Sequence, residues 1–454
     1  MLSRARVAVA PAYLFACLIL GGSAQGIWQN MILQLAGVAI IAWAAMAKSD
    51  EPLSRAARQL LWLAAVAIAV VTLQMVPLPP SVWTRLGGRG VVAEGFRALG
   101  LSAPPEPLSL TPAATLNSLL GIIPPLAVIC AMVRLKAYRA KWLTVALIAG
   151  TLAGIGLGAL QVAAGNPLDS PLYLYEDTNW GKAVGFFANA DHMATLLVVT
   201  IPFLAALIAA GKSSGMQRFS AIVAVVAGIA VLVVVGLALN GSLAGYGLAL
   251  PVIVASVLII VPPGSRLRLW VIALAAVLVI GSVAALESTA IGSSQIGVHA
   301  TSSAQSRRDI AATTSRAVGD FMPFGSGLGS FRSVYALYEQ PQQVTDVYVV
   351  HAHNDYLEIA LELGLAGVIL VLLFLAWWTA AVWRAWRTAE AGPFARAAAI
   401  ASAAVLVHSI VDFPLRTAAI AACFAMCAAL LADSRAAPPK EKAQLRRKRH
   451  VEFK

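Results

Sequence analysis

Polar and apolar positions are strongly segregated along the chain. Long Ala/Leu/Val/Ile runs alternate with short charged or Pro/Gly-rich connectors. A run of about 18 or more apolar residues is long enough to cross a bilayer core as a helix. Such runs lie near 7–24, 28–47, 56–76, up to 133, 143–164, 186–210, 219–239, 243–260, up to 286, 353–382, up to 411 and up to 431. They predict an all-α polytopic membrane protein of about 12 transmembrane helices. The short alternating segments of a membrane β-barrel are not the pattern here. The chain reads as a single integral membrane domain over 1–454, with no internal repeat. Gly22-Ser23-Ala24 resembles a signal-cleavage site, but retaining the first helix gives an even count with both ends on one side.

Three connectors are too polar to span: the Pro/Gly-rich 77–112, the segment 165–185, and 287–352, the largest hydrophilic stretch, between the ninth and tenth helices. Charge then orients the chain. Of 454 residues, 59% are hydrophobic and 12% charged, which excludes an ordinary soluble domain. With the N-terminus cytoplasmic, most of the 33 Lys/Arg fall on the cytoplasmic side and most of the 21 Asp/Glu outside, as the positive-inside rule requires. Both termini are then cytoplasmic, and the three long connectors face the periplasm. The net charge of +12 does not point to nucleic acid, because the basic tail 433–454 reads most simply as attraction to anionic lipid headgroups. Cys17, Cys130, Cys423 and Cys427 all lie in apolar runs and read as small hydrophobes.

Candidate chemistry gathers where the largest connector meets the tenth helix, at His351-Ala352-His353-Asn354-Asp355-Tyr356-Leu357-Glu358. Ionisable groups at the lip of an apolar run are costly and are a functional-site hypothesis by default. If a helix begins at His353, Asn354 and Glu358 share one face, as do His351 and Asp355. The His351/His353 spacing suits zinc, but a zinc site needs three or four ligands, so acid/base work fits better and no metal or cofactor is expected. Upstream, Arg307 to Phe321 reads as a short amphipathic helix with Ile310, Ala317, Val318 and Phe321 on one broad face. Pro323 to Phe331 follows, with Gly325, Gly327 and Gly329 at every second position, a pattern that lets backbone N–H groups approach a phosphate. An ordinary glycine turn is the plainer alternative. Arg307, Arg308 and Arg332 suit phosphate oxygens, or else headgroup contact from a solvated helix. Asn189, Asp191 and His192 form a polar patch at the outer lip of the sixth helix. His408 and Asp412, one turn apart, read first as a structural pair holding a turn.

At these residues the chain resembles the O-antigen ligase/polymerase superfamily of bacterial membrane glycosyltransferases. The family signature is His-Asn, nine residues, then Gly-x-x-Gly, matched by His353-Asn354 and Gly364-Leu365-Ala366-Gly367. Arg308, with Arg307 as the neighbouring candidate, and Pro323 to Phe331 resemble the family's loop helix and glycine stretch. Gly185 to Ala194 and His408 to Asp412 resemble further recurrent elements. Three positions depart from the pattern: Leu243 follows Ser242 where an Arg is frequent, Lys182 stands for an Arg, and Asp191 for an Asn.

The resemblance implies an inverting, metal-independent transferase of the bacterial inner membrane. It would move an undecaprenyl-diphosphate-linked glycan onto lipid A-core or a growing glycan at the periplasmic face. His353, Arg308 and Arg307 would be catalytic. Asn354, His351, Glu358, Gly325, Gly327, Gly329, Lys182, Asn189, Asp191, His192 and Arg332 would bind substrate. Gly364, Gly367, His408 and Asp412 would be structural, with the bilayer and no nucleic acid as partner. A protein O-oligosaccharyltransferase of the same fold is one alternative. A small-anion transporter is another, although that would want ionisable residues at mid-membrane depth.

Overall fold

The computed structural model describes residues 6–48, 52–166, 168, 170–212, 215–262, 264–287, 295–341, 344, 348–388 and 391–433, leaving aside the side chains of 282–287 and 295–305. The basic tail beyond Asp433 lies outside the described residues. The regular structure of the described residues is helical apart from one antiparallel pair of two-residue strands, β1 (Pro77–Leu78) and β2 (Glu106–Pro107).

In order the helices are α1 (Val9–Leu20), α2 (Ile27–Met46), α3 (Arg55–Leu73), α4 (Pro80–Trp83), α5 (Gly90–Ala98), α6 (Pro112–Gly121), α7 (Ile123–Val133), α8 (Ala140–Ala163) and α9 (Ala190–Gly211). There follow α10 (Met216–Asn240), α11 (Leu243–Ile260), α12 (Leu267–Glu287), α13 (Gln295–Phe321), α14 (Phe331–Tyr338), α15 (Asp355–Arg387), α16 (Pro393–His408) and α17 (Ala418–Ala432). Among the described residues eight helical segments are long and apolar enough to cross a membrane, with α6 and α7 together forming one of them. Four apolar helical stretches are shorter: α1, α16, α17 and the Leu267–Gly281 part of α12. This is the polytopic all-helical architecture that the apolar runs predict.

Local sequence explains five of the helix starts. Ser54, Asn189, Ser242, Asn354 and Thr417 each place a side-chain oxygen on a free N–H of the first turn of α3, α9, α11, α15 and α17, as Ser, Thr and Asn do at N-caps. Gly241 ends α10 in the left-handed region, at φ 68°, a conformation that costs glycine little.

α9 is the most buried of the long helices and packs on α16, α11 and α10, with α17 on α7 and α3 on α15. Their apolar faces merge into one core. A smaller cluster joins α13, α14 and the start of α15. Ile310, Ala317 and Phe321 are buried there against Phe331, Val334 and Leu361, with Val318 packed alongside. The face expected on the loop helix is thus the buried one, although it meets protein and the helix is longer than its sequence suggests.

Two expectations about α15 need correction. It starts at Asp355, because His353 has φ +50° and Asn354 is its cap. It is also broken at Gly364, whose backbone (φ 59°, ψ −144°) is not helical. The break has local partners. Leu365 N–H donates to Pro323 O at 2.8 Å, while Leu361 O and Glu362 O accept Ser326 N–H at 3.0 Å and Gly327 N–H at 2.9 Å. A Cβ on Gly364 would stand 2.2 Å from Pro323 O, so the close approach that this glycine allows is by a loop rather than a second helix. A Cβ on Gly367 would strike Leu363 and Ile359 of its own helix.

Candidate active site

One end of the bundle gathers the N-termini of α9 and α15, the C-terminus of α16, and the 3-10 turn Pro414–Arg416. Asp412, fully buried, stands among three imidazoles. Its Oδ1 lies 3.1 Å from His353 Nδ1, and its Oδ2 lies 3.8 Å from both His192 Nε2 and His408 Nε2. Burial by itself pushes the Asp412 carboxyl up. The His353 hydrogen bond and the neighbouring His192 and His408 outweigh it and hold the group well below the usual carboxylate range. His408 meets Thr195 Oγ1 through Nδ1 at 2.7 Å. The residues expected to hold a turn therefore form the centre of the cluster.

Access separates the imidazoles. The His192 and His408 side chains are 5% and 0% exposed, whereas His351 and His353 are 28% and 30% exposed. Of the four, the latter pair is the one open to the surface. The Phe413 ring lies between them, 4.2 Å from the His351 ring and 5.1 Å from His353. His353 is also strained: a positive φ is uncommon for a residue with a side chain, and such strain clusters at functional sites.

A second buried charge group supports the first. The Arg416 guanidinium meets Asp355 Oδ1 at 3.4 Å, Glu358 Oε1 at 3.2 Å and Glu362 Oε2 at 3.3 Å. Burial pulls the Arg416 pKa down, but the three carboxylates outweigh it and hold the guanidinium protonated. Ser409 Oγ donates to Asp355 Oδ2 at 2.8 Å. Glu358 also holds His351 Nδ1 at 2.8 Å and accepts Ala352 N–H at 2.8 Å. His351 thus pairs with Glu358 and not with Asp355. Glu358, expected to touch substrate, is buried and fully engaged inside the protein. The Asn354 side-chain oxygen is likewise taken, by Leu357 N–H at 2.9 Å.

The glycine loop departs furthest from expectation. Gly325 N–H donates to Phe321 O at 2.8 Å and Gly327 N–H to Glu362 O at 2.9 Å. Gly329 N–H donates to Glu362 Oε1 at 2.9 Å and Leu328 N–H to Gln74 Oε1 at 3.0 Å. These N–H groups are therefore not directed at a phosphate. The three positive φ values serve close packing instead: Cβ atoms at 325, 327 and 329 would meet Glu362 O, Ser109 Oγ and Ser118 Oγ within 2.6 Å. Arg89, from the 77–112 connector, is buried beneath the loop, donating to Leu108 O and, at 3.4 Å, to Gly325 O. Burial lowers its pKa to about 10.

Arginine placement also differs. Arg307 is half-buried with Nη2 3.6 Å from Asp191 Oδ2, while Arg308 is exposed. Asp191, which adjoins His192 in the chain, also accepts from Ser242 Oγ, so the departures at 191 and 242–243 meet in space. Asn189 is the α9 cap, its side-chain oxygen on Asp191 N–H at 2.8 Å. Lys182 is exposed in the loop before α9, and Arg332 lies over the Tyr348 ring at 4.7 Å; neither is drawn into the imidazole cluster. Among the described residues no group of three or more His, Cys, Asp or Glu is arranged to hold a metal ion.

Sequence reasoning missed Arg416, Gln74, Arg89, Ser242 and Phe413. A signal for Arg416 was present. Asp355, Glu358 and Glu362 recur at helical spacing on one face of an apolar helix, and buried charges require pairing.

Fold and site together define a polytopic membrane protein with a buried imidazole–carboxylate cluster at one end of its helix bundle. Residues 228–372 match the family model described as O-antigen ligase, which bears out the resemblance to the O-antigen ligase/polymerase superfamily. The matched segment runs from α10 into α15 and includes the glycine loop. It supports a membrane glycosyltransferase-like role in O-antigen ligation or polymerisation. No curated protein matches the chain.

Proposed function

We propose that the protein transfers an undecaprenyl-diphosphate-linked glycan to an acceptor hydroxyl at the periplasmic face of the inner membrane, as an O-antigen ligase or polymerase. The observation that carries this reading is the His353–Asp412 pair at 3.1 Å beneath a partly exposed imidazole. With Nδ1 held by the carboxylate, Nε2 is the nitrogen left to take the acceptor's hydroxyl proton, and the buried Asp412 stabilises the imidazolium that forms. The acceptor oxygen bonds to the anomeric carbon as the bond from that carbon to the diphosphate oxygen breaks, with inversion. The electron pair leaves on the diphosphate, where Arg307, with Arg308 beside it, offsets the developing charge. His351, on Glu358, lines the same opening and positions the acceptor. No metal takes part. The charge asymmetry of the connectors supports cytoplasmic termini and a periplasmic site.

The test is reconstitution of the purified protein with an undecaprenyl-diphosphate oligosaccharide, with and without lipid A-core. A ladder of longer glycans from the donor alone identifies a polymerase, and a product that needs lipid A-core identifies a ligase. Absence of product in both, from protein that remains folded and monodisperse, rejects the proposal.

A further inference from the structure

α15 and α16 both run between the imidazole cluster and the opposite end of the bundle, α15 from Asp355 to Arg387 and α16 from Pro393 to His408. With α11 and α12 they line a partly open apolar cavity of about 410 Å³, walled by residues such as Pro251, Ala255, Ile272, Ala276, Trp378 and Ala403. No acidic residue lines it. The end away from the imidazoles is basic. The Arg268 and Arg396 guanidinium carbons lie 5.4 Å and 5.6 Å from the centroid of the same Trp386 ring. Each donates to a carbonyl near a helix end, Arg268 to Val261 O and Arg396 to Ala385 O, both at 3.4 Å. Among the described residues neither forms an ion pair with a carboxylate.

Two cations sharing one indole repel each other, and a cation–π contact supplies no countercharge. An anion between them removes that cost, and a guanidinium fork matches phosphate oxygens. A tryptophan beside arginines at the end of an apolar helix is the composition of a membrane–water interface. Basic pockets between membrane helices take anionic lipid headgroups.

We propose that this cavity is a binding site for one anionic phospholipid of the leaflet opposite the imidazole cluster. Its phosphate sits between Arg268 and Arg396, and an acyl chain runs along the cavity toward Leu248 and Val407. Charge complementarity selects this occupant. A polyprenyl diphosphate reacting at His353 carries its phosphates at the other end of the bundle, so the basic end of this cavity is not its headgroup site.

The full chain is purified in mild detergent, and retention of phosphatidylglycerol and of phosphatidylcholine is measured by native mass spectrometry. The wild type is expected to prefer phosphatidylglycerol roughly thirty-fold, from two arginines near a membrane surface. Arg268→Gln/Arg396→Gln is expected to abolish the preference. Ala276→Phe leaves both charges intact and narrows the cavity, so it should lower phosphatidylglycerol retention without touching the basic end. Equal retention of the two lipids by the wild type overturns the proposal. So does wild-type retention by either variant, or displacement of phosphatidylglycerol from this site by undecaprenyl phosphate.

Discussion

Glu362 Oε1 accepts the N–H of Gly329 at 2.9 Å and also that of Phe331 at 3.2 Å. The acceptor held by the glycine loop is therefore a side chain of the protein itself. Glu362→Ala leaves both donors buried without a partner, at about 1–3 kcal/mol each, whereas Glu362→Gln keeps an acceptor in place. A melting temperature that falls clearly for Ala and only slightly for Gln is the expected outcome. Equal melting temperatures for wild type and Glu362→Ala would remove the anchoring role.

Gly364 is the backbone break on which this loop docks. Gly364→Ala brings a Cβ to 2.2 Å from Pro323 O at φ 59°, and relieving that clash displaces the loop or the helix. The variant is expected to give little monodisperse protein by fluorescence-detected size exclusion. Wild-type yield would show that the helix can close over this position.

Arg416 is the shared cationic partner of three buried carboxyl groups. Removing one partner of such a group costs about 3–5 kcal/mol because the remaining charges stay buried. Arg416→Met should therefore destabilise more than any exposed arginine substitution, with Arg416→Lys intermediate. A melting temperature for Arg416→Met within error of wild type would contradict the geometry.

His353 and Asp412 act as a unit in the proposed reaction. His353→Ala is expected to lower transfer by about 10²–10⁴-fold, the usual contribution of a general base, with folded protein retained. Asp412→Asn keeps the shape and removes the charge, so kcat should drop with KM little changed. Wild-type turnover by either variant excludes the pair from the chemistry.

Arg307 and Arg308 are neighbours in sequence but not equivalent in space. Arg307→Ala is expected to reduce kcat by about 10²–10³-fold, more than Arg308→Ala, because Arg307 is the one directed at Asp191 beside His192. The reverse ranking in the transfer assay would assign diphosphate contact to Arg308. In the same assay EDTA should leave activity intact; inhibition reversed by Zn²⁺ would restore the metal reading of His351 and His353.

Part of this candidate site is legible in the sequence. His353, Gly364 and His408–Asp412 stood out because ionisable residues and glycines are conspicuous beside apolar runs, and the buried face of α13 followed from helical periodicity. The glycine stretch misled for a physical reason. Closely spaced backbone N–H groups attract any anion, and local sequence does not say whether a ligand or a distant carboxylate supplies it. Glu358 misled similarly: a carboxylate at a helix lip looks available until its cation, 58 positions along the numbering at Arg416, is found beside it.

Sequence alone determined the helical membrane architecture, the caps of the helices and the end of the bundle where the candidate site gathers. Each depends on run length, periodicity or a residue's own conformational freedom, which are local properties. Tertiary structure alone decided which imidazole meets which carboxylate. The His353–Asp412 contact joins residues 59 apart, and His408 meets Thr195 across 213. Those pairings follow from how the helix ends assemble, because inside a low-dielectric bundle a buried charge depends on the partner that packing brings within reach.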